Sequence, residues 1–306
     1  MSTELAKTAK PAGEKSKTPG SALSWLGRAS AALALAVLAL LAFWNLLWKQ
    51  AGAQLAIDPR YTLTAEGIDL PDPPEWIHHD LRPEILAYLG ETRRVSILDD
   101  DLTERIHRAA AAHPWIAAVR EVRKAFPARV QIACGYRKPA AMVRVPEGLL
   151  PVDADGVLLP TRDFTPQEAA RYPRIEGIET PPSDVAGRPW ADPRVEAAAK
   201  LAEMLFPYWT QLQFARIVPS RPQPANGSPI SLEIQTRGGS RVIWGSPPDT
   251  SRDDEAPPEV KMRQLDIYFK EHGSLDGLNG PQLFDLRSVG GARISPIAGN
   301  GQQSLF

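Results

Sequence analysis

His78-His79-Asp80 sets two imidazoles and a carboxylate side by side, the residue types that ligate zinc. Neighbouring side chains diverge in a strand or a helix, and no further His, Cys or carboxylate falls at ligand spacing, so a surface loop is the expectation. Asp153-Ala154-Asp155-Gly156 opens like a calcium loop, but its glycine comes too early and Val157-Leu158-Leu159-Pro160 reads as strand; a hairpin turn with glycine at positive φ fits better. A serine nucleophile would need G-x-S-x-G, which Gly239-Ser240-Arg241 does not supply. There is no Walker A sequence and no G-x-G-x-x-G after a strand. His107 and His113 fall on, or at the end of, a helical pattern and read as surface or cap residues. No catalytic residue, cofactor site or metal site is expected, and the chain reads as a non-enzyme.

Two features point to binding instead. Arg120, Arg123, Lys124, Arg129, Arg137 and Lys138 form the densest charge cluster. They would suit phospholipid headgroups or an acidic partner strand, although the solvated face of a half-exposed sheet reads the same way and is preferred. The stretch Gln282–Arg287, with its extension through Ile294, reads as a last strand followed by flexible sequence. A last strand tends to lie at a sheet edge, where unpaired N–H and C=O groups can take up another chain; the alternative is an edge covered by its own tail. A net charge of −1 gives no argument for nucleic acid. The single cysteine, Cys134, excludes an intrachain disulfide and any multi-cysteine metal site, and alternates with Val130 and Ile132 as a buried strand residue would.

These residues need elements to hold them. Ala29–Trp48 is apolar except for Ser30 and Asn45 and, as a helix, would span about 30 Å, the hydrocarbon thickness of a bilayer. Lys7, Lys10, Lys15, Lys17 and Arg28 precede it, so the tail is expected in the cytoplasm and the bulk outside. Ala51-Gly52-Ala53 is a small-x-small cleavage pattern, but the run is longer than a signal peptide's apolar core, and an uncleaved anchor is the preferred reading.

Beyond the anchor the pattern is β-α-α-β-β. Tyr61–Leu70 reads as a strand. Pro83 opens a helix with Ile85, Leu86 and Leu89 on one face and Gly90 as its stop. Asp101-Leu-Thr-Glu104 has the capping-box pattern before a helix that buries Leu102, Ile106, Ala109 and Ala110. Strands Ala118–Lys124 and Arg129–Tyr136 flank a turn at 125–128. Further on, a helix is expected over Pro193–Leu212 with Val195, Ala199, Ala202, Leu205 and Phe206 inward. Strands are expected at Ala215–Val218, Ile230–Thr236 and Arg241–Trp244, then a helix over Pro258–Glu271 with Met262, Leu265 and Phe269 aligned. Pro219–Pro229 and Ser246–Pro257 read as mobile surface loops.

The ordered series Pro114-Trp115-Ile116, Val122-Arg123, Phe126-Pro127, Val130-Gln131-Ile132 and Arg137-Lys138-Pro139-Ala140 resembles the POTRA domain of the FtsQ/DivIB cell-division family. Val152-Asp153-Ala154-Asp155-Gly156, Tyr172–Gly177, Val242–Gly245, the Pro258–Glu271 helix and Leu283-Phe284-Asp285-Leu286-Arg287 are similar to that family's later motifs. The sequence departs from them at Ser288, where many relatives carry an aromatic, and in the long Pro71–Leu98 segment.

The resemblance implies an α+β chain: a disordered cytoplasmic tail (1–24), a transmembrane helix (25–49), a β-α-α-β-β POTRA domain (58–137), a β-rich domain with a mostly antiparallel sheet and two helices (138–295), and a disordered tail (296–306). It implies a single-pass protein of the inner membrane at the division septum, scaffolding septal peptidoglycan synthesis. Its partners would be FtsB/FtsL-like bitopic proteins and other divisome components. The partner-binding residues it implies are Leu283, Phe284, Asp285, Leu286, Arg287 and Ser288, with Arg123 and Lys124 on the first unit. The rival readings are a membrane-anchored extracytoplasmic enzyme and a POTRA protein of an export or assembly pathway.

Overall fold

The computed structural model describes residues 33–47, 60–90, 95–221, 229–250, 252–277 and 280–297. The chain divides into Met1–Tyr61 and Thr62–Phe306. In the first part residues 33–47 form helix α1, with Leu33, Leu35, Leu38, Leu40, Phe43 and Trp44 exposed. Among the described residues no helix is long and apolar enough to cross a membrane. The ends of the expected span, the tail over 1–24 and the pattern at 51–53 lie outside the described residues.

The second part holds two sheets. The smaller has the order β1-β3-β2: β1 (Ile68–Asp69) runs parallel to β3 (Arg129–Tyr136), which pairs antiparallel with β2 (Ile116–Ala125). Helices α2 (Arg82–Ala87) and α3 (Leu102–Ala111) complete the β-α-α-β-β order. The period of α3 buries Leu102, Ile106, Ala109 and Ala110 as expected, against Ile68, Ile85, Val130 and Ile132. Alternation in β3 puts Val130, Ile132 and Cys134 on the inner face.

Several local expectations fail for identifiable reasons. Tyr61–Leu70 is not one strand: a 3-10 turn at Ala65–Gly67 leaves only Ile68–Asp69 paired. Gly67 lies so close to the backbone of Ala128 that a Cβ there would meet its carbonyl oxygen at 2.4 Å. The capping box before α3 does not form. Asp101 has helical dihedrals rather than the extended conformation a capping side chain needs, and its carboxylate takes Arg105 instead. Nor does the first core close within 58–137. Leu159 is part of it and Phe164 packs against it, because the first sheet and its two short helices leave that face uncovered.

The larger sheet has eight strands in the order β11-β10-β9-β8-β7-β6-β4-β5. In chain order these are β4 (Pro139–Val145), β5 (Gly148–Asp153), β6 (Arg174–Ile175), β7 (Phe214–Pro219), β8 (Leu232–Thr236), β9 (Arg241–Gly245), β10 (Gln282–Asp285) and β11 (Arg293–Pro296). The sheet is mixed rather than mostly antiparallel. After β6 the chain returns through helix α5 (Pro193–Leu205), and after β9 through α6 (Pro258–His272). Each crossover delivers the next strand in the same direction, so β6–β7 and β9–β10 are parallel, as is β4–β6.

A third, short helix, α4 (Pro166–Ala169), is capped by Thr165 and Glu168. The Asp153–Gly156 turn forms as expected, but the segment after it contributes only isolated bridges at Val157 and Leu158. Val195, Leu201 and Leu205 of α5 and Leu265 of α6 share one core with Val143, Ile175, Ile217, Ile234, Val242 and Phe284. The α5 helix ends at Leu205, earlier than expected, because Pro207 passes it into a 3-10 turn; Phe206 is thereby exposed rather than inward.

Candidate partner-binding edge

Helix α6 leads into β10. Lys261 lies on α6 four positions before Leu265, on the same side of the helix, although charge argues for solvent. In the fold it is only 2% exposed. Its ammonium donates to the carbonyl oxygen of Trp244 (2.7 Å), lies 5.1 Å from the centre of the Trp244 ring and pairs with Glu255. Burial lowers the Lys261 pKa, with Glu255 opposing the shift. Glu255 also accepts from Ser246 through its backbone N–H (2.8 Å) and its hydroxyl (2.7 Å). Burial opposes ionisation of Glu255, but the Lys261 and Ser246 bonds outweigh it and hold the carboxyl below its ordinary pKa. Ser246–Pro257 is therefore not a detached loop over its described residues: Glu255 ties it to α6, and the Ala256 N–H donates to Arg287 O (2.8 Å). Gly245 makes this possible. Its φ is +91°, and a Cβ there would meet Glu255 Oε1 at 2.1 Å.

A second anchor starts β10. The Ser240 hydroxyl donates to Leu275 O (3.0 Å) and accepts the Gln282 N–H (2.9 Å). Asp276 accepts from Thr236 Oγ1 (2.5 Å), Ser240 N (3.2 Å) and Gly238 N (3.2 Å). These bonds outweigh burial and keep its carboxyl below the ordinary range. Between the two anchors β10 is threaded beside β9, with Phe284 opposite Val242.

The alternative reading, in which the last expected strand is covered by its own tail, holds for β10. β10 is interior, paired on one side with β9 and on the other with β11, in the register Leu283↔Ser295, Phe284↔Ile294 and Asp285↔Arg293. Phe284 is 1% exposed and meets the Tyr268 ring edge-on at 4.8 Å; Leu286 is buried as well. The covering strand is the segment after the Gly290-Gly291 turn, and all four of its residues are exposed. The disordered tail expected from residue 296 begins within β11; the stretch past 297 lies outside the described residues.

The alternation of β11 can be fixed. Ile297 N donates to Pro281 O (2.9 Å), so residues 297, 295 and 293 aim their amides at β10. Ile294 and Pro296 face the other way. Proline cannot offer an N–H, which is why it is tolerated on that side. Among the described residues no strand pairs with that side of β11, and Ile294 presents its N–H to it.

Beside this edge lies a cleft of about 520 Å³ lined by Ser246, Arg252, Glu255, Arg287, Ser288 and Arg293, among others. Arg287 is held by Asp285 (2.6 Å) and Arg252 by Asp254 (3.0 Å). Asp285 stays below its ordinary pKa chiefly through the Arg287 bond.

No protein-family model matches the chain, and no curated protein matches it.

Arg123 and Lys124 belong to the other sheet, on its outer strand β2, and are not brought together with residues 283–288. Arg123 pairs with Glu121 (2.6 Å), and Lys124 donates to the carbonyl oxygen of Asp99. Arg129 pairs with Asp69 (2.9 Å) and Arg137 with Asp153 (2.7 Å), so much of the basic cluster is neutralised by its own chain. Sequence reasoning missed the Lys261–Glu255 clamp and the β11 edge. The spacing of Lys261 to Leu265 was a usable signal for the first; nothing in Ala292–Ile297 alternates clearly enough to signal the second.

Proposed function

We propose that this chain is an FtsQ/DivIB-like division scaffold. It would be tethered by a single membrane helix over Ala29–Trp48, and its exterior part would recruit bitopic FtsB/FtsL-like partners without catalysing a reaction. The single observation that carries this reading is the outer side of β11, which no strand among the described residues covers. A strand with exposed side chains and an outward amide at Ile294 ends the eight-stranded sheet beside a cleft lined by three arginines and three carboxylates. An extended partner segment would add a ninth strand there, its backbone supplying much of the affinity and the cleft its specificity. The β-α-α-β-β unit and the ordered motif series support the family reading. The partner contact moves from the Leu283–Ser288 side chains, of which Phe284 and Leu286 are buried, to the strand that covers them.

The test is a crosslinking pull-down with the full-length chain from dividing cells, comparing wild type with Ile294→Pro. This substitution removes the outward N–H and leaves the β10-facing amides of Arg293 and Ser295 in place. Division proteins are expected to copurify with wild type and to be lost with Ile294→Pro, while circular dichroism and melting temperature stay near wild type. A folded Ile294→Pro protein that retains the same partners would overturn the edge reading. Capture of export or barrel-assembly components in place of division proteins would overturn the family reading.

A further inference from the structure

Where the chain after β5 returns to the first unit, two histidines, two carboxylates and an arginine close a ring. His79 Nε2 lies 2.7 Å from Arg162 Nη2, and its Nδ1 lies 2.7 Å from Asp163 Oδ1. Guanidinium only donates, so Nε2 must accept and Nδ1 carries the proton that bonds Asp163. His113 is 1% exposed; its Nδ1 accepts the Trp115 backbone N–H (3.2 Å). Its proton therefore sits on Nε2, 3.1 Å from Glu84 Oε2. The other oxygen of Glu84 takes Arg162 at 2.5 Å, and the Trp115 indole N–H donates to Asp163 Oδ2 at 2.9 Å. Two routes thus leave His113, one through Glu84 to Arg162 and one through Trp115 to Asp163. They end on adjacent residues of the same segment, whose Leu159 and Phe164 complete the first core.

The two rings have different surroundings. His79 faces Glu84 Oε1 (3.1 Å), Asp163 and Arg162. His113 faces Glu84, already shared with Arg162, and the edge of Tyr88, whose ring centre is 5.8 Å away. A proton on His113 Nδ1 would point at a buried amide N–H, replacing a bond with a clash of donors.

We infer that this junction is a pH-operated latch: neutral His113 holds the Thr161–Phe164 segment against the first unit, and protonating His113 releases it. Burial holds His113 below its ordinary pKa of 6.5. A buried imidazole of this kind contributes stability that is complete above the ordinary value, and the contribution falls away as pH drops from there towards the folded value. The latch is shut at neutral pH and opens on acidification below about 6.5.

Hydrogen exchange of the full-length chain tests this, with rates corrected for their intrinsic pH dependence. Between pH 7.5 and 5.5, protection of residues 161–164 and of the Trp115 amide is expected to fall by up to about tenfold, the most that one imidazole with an ordinary pKa near 6.5 can give over that span. Protection of α5 and β8 should not change. His113→Gln should show the lowered protection at both pH values. If that variant does not fold, an imidazole NMR titration of the wild type decides: the His113 signal must titrate at the midpoint of opening. Unchanged protection at pH 5.5 overturns the latch, as does a loss that begins only in the carboxylate range near pH 4 with His113 still neutral.

Discussion

Lys261 shows how one side chain can fix the position of a remote strand. Its ammonium is held by Trp244 O, by the Trp244 ring and by Glu255, and Glu255 in turn gathers Ser246. Removing one member of a buried pair strands the other. Lys261→Met is expected to cost about 3–5 kcal/mol in urea denaturation. Lys261→Met with Glu255→Gln should cost clearly less than the single change, because no charge is left unpaired. Equal losses for the two variants would mean that packing, not charge, dominates the site. His113 makes the same point with opposite placement: a helix-end histidine reads as a surface cap, yet Trp115 and Glu84 use both of its nitrogens in the interior.

Among the elements, β10 and β11 divide the labour that a single terminal strand was expected to perform. Phe284 and Leu286 were legible as apolar strand positions, and they are buried. That β10 is covered by its own tail was one of two readings of the sequence, and nothing chose between them, because Gly290-Gly291 and the short Arg293–Pro296 run lack a hydrophobic period. Proline therefore has different effects on the two strands. Phe284→Pro should lower the melting temperature sharply or prevent folding, since it empties a core position and disturbs an interior strand. Ile294→Pro should leave folding intact. Similar melting temperatures for the two variants would contradict the strand order. The parallel pairs follow from connection length: α5 and α6 are long enough to carry the chain back across the sheet, whereas the tight turns at 146–147 and 237–239 give antiparallel neighbours.

Over the whole of Thr62–Phe306 the ionisable groups predict a two-stage loss of stability in acid. His113 acts first, as pH falls below about 6.5. Glu84, Asp192, Glu233, Glu255, Asp276 and Asp285 are all held below their ordinary values. Their stabilisation is present above about pH 4.5 and is lost as pH falls through the lowered folded values. Urea midpoints measured from pH 8 to 3 should show a shallow decline near 6 and a steep one below 4.5; a flat profile down to pH 4 would exclude the first stage. The sequence by itself determined what local patterns control: the period of α3, the alternation of β3, and the turns at Asp153–Gly156 and Arg237–Gly239. Only the tertiary structure decided which strand ends the sheet, that Leu159 completes the first core, and that Lys261 and His113 are buried. Those outcomes depend on contacts between segments distant in sequence, and no local period encodes which remote surface a side chain will meet.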